Sequence, residues 1–356
     1  MSFQPPGARA LATITDAKVF DLLGAGAATR TEISRQLGIS KPTASQAILR
    51  LQDFGLVSEG QSSAQGKRGR IPELYALRQD YGHVLAVELS AQHLLIQAED
   101  LAGNVLESLH APIDSHTSEQ QLLATASGLL TQLESAVRSP RLAVGISQAA
   151  PVLHDGQGNV RVIGTPIFAA SAADIAGLFD PKVTLLDNDV NWMAVAEYQQ
   201  RRGSMLLVYV GAGIGAALVV DGELHRGRHG VAGELENQML GGITLLEHLE
   251  REGLVGQRVL FERLVDPAVR RTLVEPLGQV LGNLVGFLDP DAVVVTGPGA
   301  SAELSEELAV VITRTVPLVP SQVEHSVHGG DGALAGAMAG ARRSALQALW
   351  SSYREA

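Results

Sequence analysis

The chain has 356 residues, of which 46% are hydrophobic and 18% charged, a balance typical of globular proteins with a packed core and not of disordered chains. It contains no cysteine, which excludes disulfides and thiolate metal sites, and its sequence has no apolar run long enough to span a bilayer. The first residues lack the basic start and unbroken apolar stretch of a secretion signal, so a cytoplasmic protein without a membrane partner is expected.

The most informative segment, residues 29–77, begins with two short helical patterns separated by the tight turn Leu37-Gly38-Ile39-Ser40. Gly38 can adopt the left-handed conformation that ends the first helix, and Ser40 is placed to cap the second. Pro42 is tolerated because it falls in the first turn of that helix. Apolar residues at helical spacing let the two crossing helices bury one small core: Ile33, Leu37, Ile39, Ala44, Ile48, Leu51 and Leu56. The pattern is typical of a helix-turn-helix.

A basic hairpin is predicted to follow, in which Val57-Ser58 pairs with Leu74–Leu77 and residues 66–70 form the tip. Together with the helices this predicts a winged helix-turn-helix over residues 1–78. Its second helix offers polar and basic side chains suited to base edges and phosphates in a major groove, and its wing offers cations for a minor groove or phosphates. The predicted DNA contacts are Ser40, Lys41, Thr43, Ser45, Gln46, Arg50, Lys67, Arg68 and Arg70.

Charge is distributed unevenly between this head and the rest of the chain. Residues 28–70 carry a formal charge of +4, whereas the whole chain carries −11 and residues 71–356 carry −15. A basic head on an acidic body restricts where a polyanion can dock. The alternative is that the helix pair packs against another protein and the basic loop is solvated. The coincidence of cap, spacing and basic wing favours double-stranded DNA.

From Gly82 onward the sequence alternates between strand and helix patterns. Three strands, a helix and further strands occur twice, which predicts a duplicated βββαβα unit with lobes at about 83–190 and 205–330 and a cleft between them. A helix over 331–350 closes the chain. The predicted strands are Val84–Leu89, Leu94–Glu99, Val105–His110, Leu142–Ser147, Val183–Leu186, Leu206–Val210, Ala216–Val220, Glu223–His225 and Ala292–Thr296. The other predicted helices are 118–138, Leu245–Arg251, Ala268–Arg271 and Leu273–Leu288.

Three segments of the body carry candidate chemistry. Residues 186–191 (Leu-Asp-Asn-Asp-Val-Asn) put a carboxylate at the carboxyl end of a strand, where α/β sheets present ligands. Residues 211–215 (Gly-Ala-Gly-Ile-Gly) and 230–234 (Gly-Val-Ala-Gly-Glu) follow. Cap or turn chemistry explains any one of them alone.

The order and spacing of these segments behind a winged helix resemble the ROK family, which groups sugar-responsive repressors with sugar kinases. The resemblance covers nearly the whole chain, and the phrase Gly38-Ile39-Ser40-Lys41-Pro42-Thr43 is similar to the repressor branch. It implies an α/β fold in which the head is followed, over residues 79–356, by a two-lobed actin-like (ribonuclease H-like) domain that binds the effector and forms oligomers.

The resemblance also implies roles for individual residues. Asp189 matches the sugar-facing aspartate that acts as general base in the family's kinases, and Asn188 matches a neighbouring hydroxyl contact. Glu234 matches the glutamate of the family's Ala-Gly-Glu segment, which binds sugar hydroxyls. Glu247 matches a second sugar glutamate, and Asn237 occupies the position of a family histidine. These five residues form the predicted effector site.

Two departures from the family pattern bear on activity. The segment Val87–Gln92 stands where family kinases have a glycine-bearing phosphate hairpin, and it contains no glycine. Backbone approach to a triphosphate is therefore expected to be unfavourable, and no enzymatic activity is predicted. The cysteine loop that binds zinc elsewhere in the family is missing, so no structural zinc and no cofactor are expected.

The sequence therefore predicts a transcriptional regulator, a repressor, that acts as a homodimer or dimer of dimers on a palindromic operator. A sugar or sugar derivative in the interlobe cleft would control its affinity for DNA. Two alternatives remain at this stage. One is a carbohydrate kinase that carries a DNA-binding domain, and the other is a ligand-independent DNA-binding repressor whose sugar site has decayed.

Overall fold

The computed structural model describes residues 8–60, 73–155, 160–180, 182–256, 258–318, 322–329 and 332–355. The chain folds into a small N-terminal head and a larger body, whose described residues form two five-stranded β-sheets and two short hairpins. Within the described residues, no helix combines the length and apolar character needed to cross a membrane.

The head contains three helices and a small antiparallel sheet. The helices are α1 (Ala8–Gly24), α2 (Arg30–Leu37) and α3 (Lys41–Asp53), and the strands are β1 (Ala28–Thr29), β2 (Val57–Gly60) and β3 (Leu74–Leu77). The strand order is β1-β3-β2, so the predicted pairing of β2 with β3 is confirmed. The predicted wing tip lies outside the described residues.

Local sequence explains why α2 and α3 begin and end where they do. Thr29 and Glu32 form a capping box at the start of α2, and Gly38 ends that helix in the left-handed conformation with φ 64°. The Ser40 hydroxyl accepts a hydrogen bond from the Thr43 amide and caps α3. Ile33, in α2, is completely buried in the head. The predicted helix-turn-helix is therefore present.

The first lobe of the body is built on a five-stranded sheet in the order β10-β7-β4-β5-β6, with helix α4 (Glu119–Ala136) packed on it. A short hairpin, β8 (Val152–His154) with β9 (Val160–Val162), follows β7. The sheet strands are β4 (His83–Leu89), β5 (His93–Asp100), β6 (Val105–Pro112), β7 (Arg141–Gln148) and β10 (Thr184–Asn188). Every residue of β4 is buried, as expected of a central strand covered on both faces.

The second lobe repeats this layout, with the order β13-β12-β11-β16-β17 and helices α7 (Pro267–Leu288) and α8 (Ala302–Thr315) packed side by side. Helix α5 (Asp189–Tyr198) joins the two lobes, and α6 (Leu245–Arg251) follows a small hairpin of β14 (Met239–Leu240) and β15 (Ile243–Thr244). The sheet strands are β11 (Met205–Val210), β12 (Ile214–Val220), β13 (Glu223–His225), β16 (Ala292–Thr296) and β17 (Val323–His325).

The pairing confirms the predicted duplication. In each lobe three consecutive strands pair antiparallel, and the first of them pairs in parallel with a later strand on its other side: β4 with β7, and β11 with β16. This is the two-lobed, actin-like α/β arrangement predicted for the body.

Some elements differ from prediction. Residues 268–271 and 273–288, predicted as two helices, belong to one helix, α7, which continues through residue 272 and contains Pro276. Helices α1 and α8 and strand β17 were not predicted from the sequence. The closing helix α9 (Gly332–Glu355) extends beyond the predicted end at residue 350.

Helix α9 packs against both the body and the head. Its glycine-bearing first half lies on α5, where a side chain on Gly336 would overlap the backbone carbonyl of Trp192. Its last turns contact the head, where Trp350 meets Phe20 edge-on with ring centroids 5.5 Å apart. Helix α9 is therefore a physical link between the two parts of the chain.

Candidate effector cleft and DNA-binding surface

The candidate effector residues lie at the carboxyl edge of the first sheet. In the registers of β4, β7 and β10, Glu88 and Asp187 lie on either side of Ser147, and Asn188 lies beside Gln148. The side-chain oxygen of Asn188 caps α5 by accepting a hydrogen bond from the Asn191 amide, 2.8 Å away. Asn188 ends β10 and Asp189 begins α5, so the two residues lie together at the carboxyl end of the strand.

Asp189 is half-buried, and the removal of water around it raises its pKa to about 7. The charges of Glu88 and Glu234 raise the pKa further, which places both carboxylates near Asp189, whereas the backbone amide of Val190 opposes the shift. The structure therefore brings Asp189 of the first lobe and Glu234 of the second to the same cleft.

The turn that carries Glu234 is fixed against the second sheet. Gly233 has φ 98°, a conformation that favours glycine, and a side chain there would overlap the Ala216 carbonyl. The Ala216 amide in turn donates to the Gly233 carbonyl at 2.8 Å. Burial raises the pKa of Glu234, and the nearby charge of Glu236 adds to the shift.

An ion pair that the sequence did not reveal crosses between the lobes. Arg226, which follows β13, donates from Nε to Asp187 Oδ2 at 2.5 Å. Asp187 is buried, and its other oxygen accepts from Asn191 Nδ2 at 2.6 Å. The segment after Arg226 also reaches the first lobe, because the His154 amide donates to the His229 carbonyl. Asp187 belongs to a motif that the sequence already indicated, because it directly precedes Asn188. Its partner Arg226 lies 39 residues further along the chain, so the pair was not evident from the sequence.

Two predicted effector residues take other positions. Glu247 is exposed, and its carboxylate accepts from the Thr244 amide at 2.7 Å in the capping box of α6. Asn237 is also exposed, at the end of a short 3₁₀ turn over Leu235–Asn237. Local backbone donors thus hold the Glu247 carboxylate in the capping box of α6. The assignment of Glu247 and Asn237 to the effector site stays a prediction.

The predicted DNA-binding face is only partly as expected. Lys41 and Gln46 on α3 are exposed, and Thr43 and Ser45 are half-buried beside them. Leu49, which was not predicted as a DNA contact, lies one helical turn beyond Ser45, and its side chain is 52% exposed on the same helix. Lys67, Arg68 and Arg70, the predicted wing contacts, lie outside the described residues.

Arg50 makes a contact that the sequence did not predict. Its guanidinium binds both carboxylate oxygens of Asp16 on α1, at 2.6 and 2.8 Å, and Asp16 is completely buried. The same carboxylate accepts from the Tyr353 hydroxyl of α9 at 2.7 Å. Arg50 therefore ties α3 to α1 and α9, while its side chain stays 38% exposed. Its contact with DNA stays a prediction.

The raised pKa of Asp189 leads to a stability prediction. Between pH 3.8, the ordinary pKa of the group, and about pH 7, Asp189 is ionised in the unfolded chain but stays protonated in the native state. The free energy of unfolding therefore falls as the pH rises through that window. The variant Asp189→Asn lacks this loss, and we expect it to exceed the wild type in free energy of unfolding by about 1–3 kcal/mol at pH 8. At pH 4 the two proteins should differ little. Urea unfolding at both pH values measures this, and equal differences at pH 4 and pH 8 would contradict it.

Comparison with known proteins agrees with the geometry. The model of the ROK family matches residues 84–242, which include the first sheet, the Asn188-Asp189 pair and the Gly233-Glu234 turn. These residues form a ROK-family domain. The chain is 23% identical to a xylose repressor of Caldicellulosiruptor bescii over 86% of this chain and 85% of that protein. It is 22% identical to the DNA-binding transcriptional dual regulator NagC of Escherichia coli over 84% of this chain and 86% of NagC.

Solved ROK structures show the same fold. A ROK family transcriptional regulator, a homologue of the E. coli MLC protein, superposes with a TM-score of 0.67 at 18% identity, covering 97% of this chain and 99% of its own. The ROK hexokinase of Thermus thermophilus superposes with a TM-score of 0.57 at 24% identity, covering 72% of this chain and 96% of its own. The regulator thus covers the head as well as the ROK domain, whereas the hexokinase covers a smaller share of the chain.

Proposed function

We propose that this protein is a sugar-responsive transcriptional repressor. The observation that carries the proposal is the connection between the two candidate sites. Helix α3 is tied through Arg50 and Asp16 to Tyr353 of α9, and α9 packs on α5, which begins at Asp189. A ligand that moves α5 therefore has a path of packed groups to the DNA-binding helix. Relatives named as repressors support the same function.

We assign DNA binding to residues 1–78 and effector binding and oligomerisation to residues 79–356. Single heads of this size make few base contacts, and paired heads on a two-fold axis read two half-sites of a palindrome. A homodimer or a dimer of dimers follows as the working form. On the DNA-binding helix we propose Ser40, Lys41, Thr43, Ser45, Gln46 and Leu49 as the residues that face the DNA, with Lys67, Arg68 and Arg70 proposed for the wing.

The effector site that we propose consists of Asn188, Asp189 and Glu234. Carboxylate and amide groups accept and donate hydrogen bonds to neighbouring sugar hydroxyls, and a wrong epimer leaves buried groups unpaired. Asp189 and Glu234 come from different lobes, so a sugar that binds both carboxylates favours one relative position of the lobes. The pair of Arg226 with Asp187 also joins the lobes, and it lies next to Asn188. Lobe movement then changes the spacing of the two heads through α5 and α9.

The proposal is tested by selecting genomic or random DNA fragments on the purified full-length protein and then adding sugars and sugar phosphates one at a time. Fluorescence anisotropy should show that one sugar lowers the DNA affinity by about tenfold or more, the size of a typical allosteric coupling. Asp189→Ala should abolish this response and leave the affinity without sugar within about twofold. A failure to enrich any DNA fragment would overturn the proposal. A DNA affinity that none of the added compounds changes would also overturn it.

A carbohydrate kinase is the second candidate, and the position and raised pKa of Asp189 favour it because a general base needs a pKa near the working pH. ROK kinases share the fold. Against it, Glu88 and its neighbours Ser90 and Ala91 leave no glycine where a triphosphate would approach the first lobe. Turnover of ATP that depends on a sugar and is lost in Asp189→Ala would establish the kinase. We propose that the protein has no such activity.

A further inference from the structure

The glycine-bearing loop Gly211–Gly215 lies between β11 and β12. It lies near Asp189, because a side chain at Gly215 would come within 3.5 Å of Val190, the next residue along the chain. Successive backbone amides in such a loop form a concave site for anions, and phosphate is the usual occupant. In this chain the amide of Ile214 already has an acceptor: it donates to Oε1 of Glu236 at 2.8 Å. The amide is therefore bound by a carboxylate of the same chain.

The position of Glu236 is fixed from both sides. Leu235, the preceding residue, is buried in the core of the second lobe and anchors the short turn. The carboxylate then lies against Gly213, since a side chain at Gly213 would come within 3.2 Å of Glu236 Oε1. Within the loop, the Gly211 amide donates to the Gly213 carbonyl at 3.0 Å. The amides of Gly211 and Ile214 thus both have acceptors within the chain.

We infer that Glu236 is a built-in anion that occupies the Gly211–Gly215 loop and makes the cleft select uncharged sugars over phosphorylated sugars and nucleotides. The inference rests on the proposed function, because it names the class of effector that the same cleft accepts. A glycine at position 236 would leave the loop amide open.

The charges around the loop act in the same direction. Glu88, Asp189 and Glu234 are acidic, and burial and neighbouring carboxylates raise the pKa values of Asp189 and Glu234. Burial also raises the pKa of Glu236, and the hydrogen bond from the Ile214 amide opposes that shift by favouring the charged form. Arg226, a cation that reaches this region from the second lobe, is already paired with Asp187. A phosphate entering the cleft would meet several carboxylates in a poorly hydrated site, whereas an uncharged sugar would bring no charge.

The test measures anion binding directly on the full-length protein, with inorganic tripolyphosphate as the probe and isothermal titration calorimetry as the readout. Three variants are compared with the wild type. Glu236→Gly opens the loop, Glu236→Gln keeps an acceptor for Ile214 but removes the charge, and Glu252→Gly replaces an exposed glutamate at the end of α6 as a control. We expect Glu236→Gly to bind tripolyphosphate at least about tenfold more tightly than the wild type, as a loop with free amides should. Glu236→Gln should show a smaller gain, and Glu252→Gly none.

A second arm compares glucose, xylose and N-acetylglucosamine with glucose 6-phosphate, xylose 5-phosphate and N-acetylglucosamine 6-phosphate on the wild type. Binding of any of the phosphates as tight as that of its parent sugar would overturn the inference. A folded Glu236→Gly with no gain in tripolyphosphate affinity would also overturn it. If Glu236→Gly does not fold, Glu236→Gln decides, and an unchanged affinity for tripolyphosphate counts against the inference.

The two proposals fail separately. The tripolyphosphate arm uses neither DNA nor sugar, so its result stands even if no sugar releases the protein from DNA. Conversely, release from DNA by a phosphorylated sugar that binds in the cleft would sustain the repressor and overturn the role assigned to Glu236.

Discussion

Replacing Asp16 with alanine is expected to lower the free energy of unfolding by about 3 kcal/mol, because loss of one partner leaves the Arg50 guanidinium without its counter-charge inside the head. Asp16 is completely buried, and its two oxygens hold Arg50 and Tyr353. The Arg50 side chain is 38% exposed, so solvent screens part of the charge and keeps the loss near the lower end of the range for buried pairs.

The same substitution is expected to reduce DNA affinity strongly, because Asp16 sets the position of α3 relative to α1 and α9. The measurements are urea unfolding and fluorescence anisotropy on a selected DNA fragment. Tyr353→Phe is the matched control: it removes one hydrogen bond from Asp16 and should cost about 1 kcal/mol. An Asp16→Ala protein no less stable than Tyr353→Phe would contradict a stabilising role for the ion pair.

A double variant separates pairing from packing. Asp16→Ala combined with Arg50→Ala removes both charges, so no guanidinium is left unpaired. We expect the double variant to be less destabilised than the sum of the two single variants, with a coupling of about 1–3 kcal/mol. Additive effects would show that Asp16 and Arg50 stabilise the head independently.

The head was predictable because its signals are local. Gly38 and Ser40 determine a helix end and a helix start within three residues, and the capping box of Thr29 and Glu32 spans four. The contact of Arg50 with Asp16 was not predicted, for the opposite reason. Its position on the helix is compatible with a surface site, and only the tertiary fold shows that Asp16, 34 residues earlier, binds it.

The body was predicted best where strands are buried and continuous. Strand β4 is buried along its length, and strand β16 has the predicted bounds Ala292–Thr296. Both strands carry continuous apolar runs, which indicate buried strands. Strand β17 is three residues long and mostly exposed, so its sequence carries little hydrophobic signal. Helix α8 has an amphipathic pattern that was available in the sequence and was overlooked.

The candidate site was predicted in part. Asn188, Asp189 and Glu234 were placed by motif, and the structure brings Asp189 and Glu234 close enough to influence each other's charge. Glu247 follows the position at which the family's cysteine loop is missing. Without that loop, the resemblance does not fix which residue of this chain matches the second sugar glutamate. The local signal Thr-x-x-Glu at Thr244–Glu247 indicates a capping box and would have identified its role.

Gly336→Ala is expected to be the most damaging of the small substitutions at the junction of α5 and α9. A methyl group at this position would overlap the backbone carbonyl of Trp192, which cannot move without shifting α5. The indole of Trp192 is also fixed, because its Nε1 donates to the Ile146 carbonyl at 2.7 Å. We expect a loss of about 3 kcal/mol or more in free energy of unfolding, as for overpacking in a rigid core.

Gly128→Ala is the matched control, because Gly128 lies in the middle of α4 and a side chain there would meet no atom within 4 Å. This variant should be unchanged or up to about 1 kcal/mol more stable, since alanine favours helix more than glycine does. Equal stability of the two variants in urea unfolding would contradict close packing of α9 on α5.

Gly336→Ala also tests how the cleft communicates with the head. If α9 transmits the movement of α5, a protein in which α9 is displaced from α5 should bind DNA with a response to sugar reduced by about tenfold or more. Asp189→Ala loses the response by losing the ligand, so calorimetry distinguishes the two: Gly336→Ala should still bind the sugar. A variant that binds sugar and keeps the full response would show that the signal reaches α3 without α9.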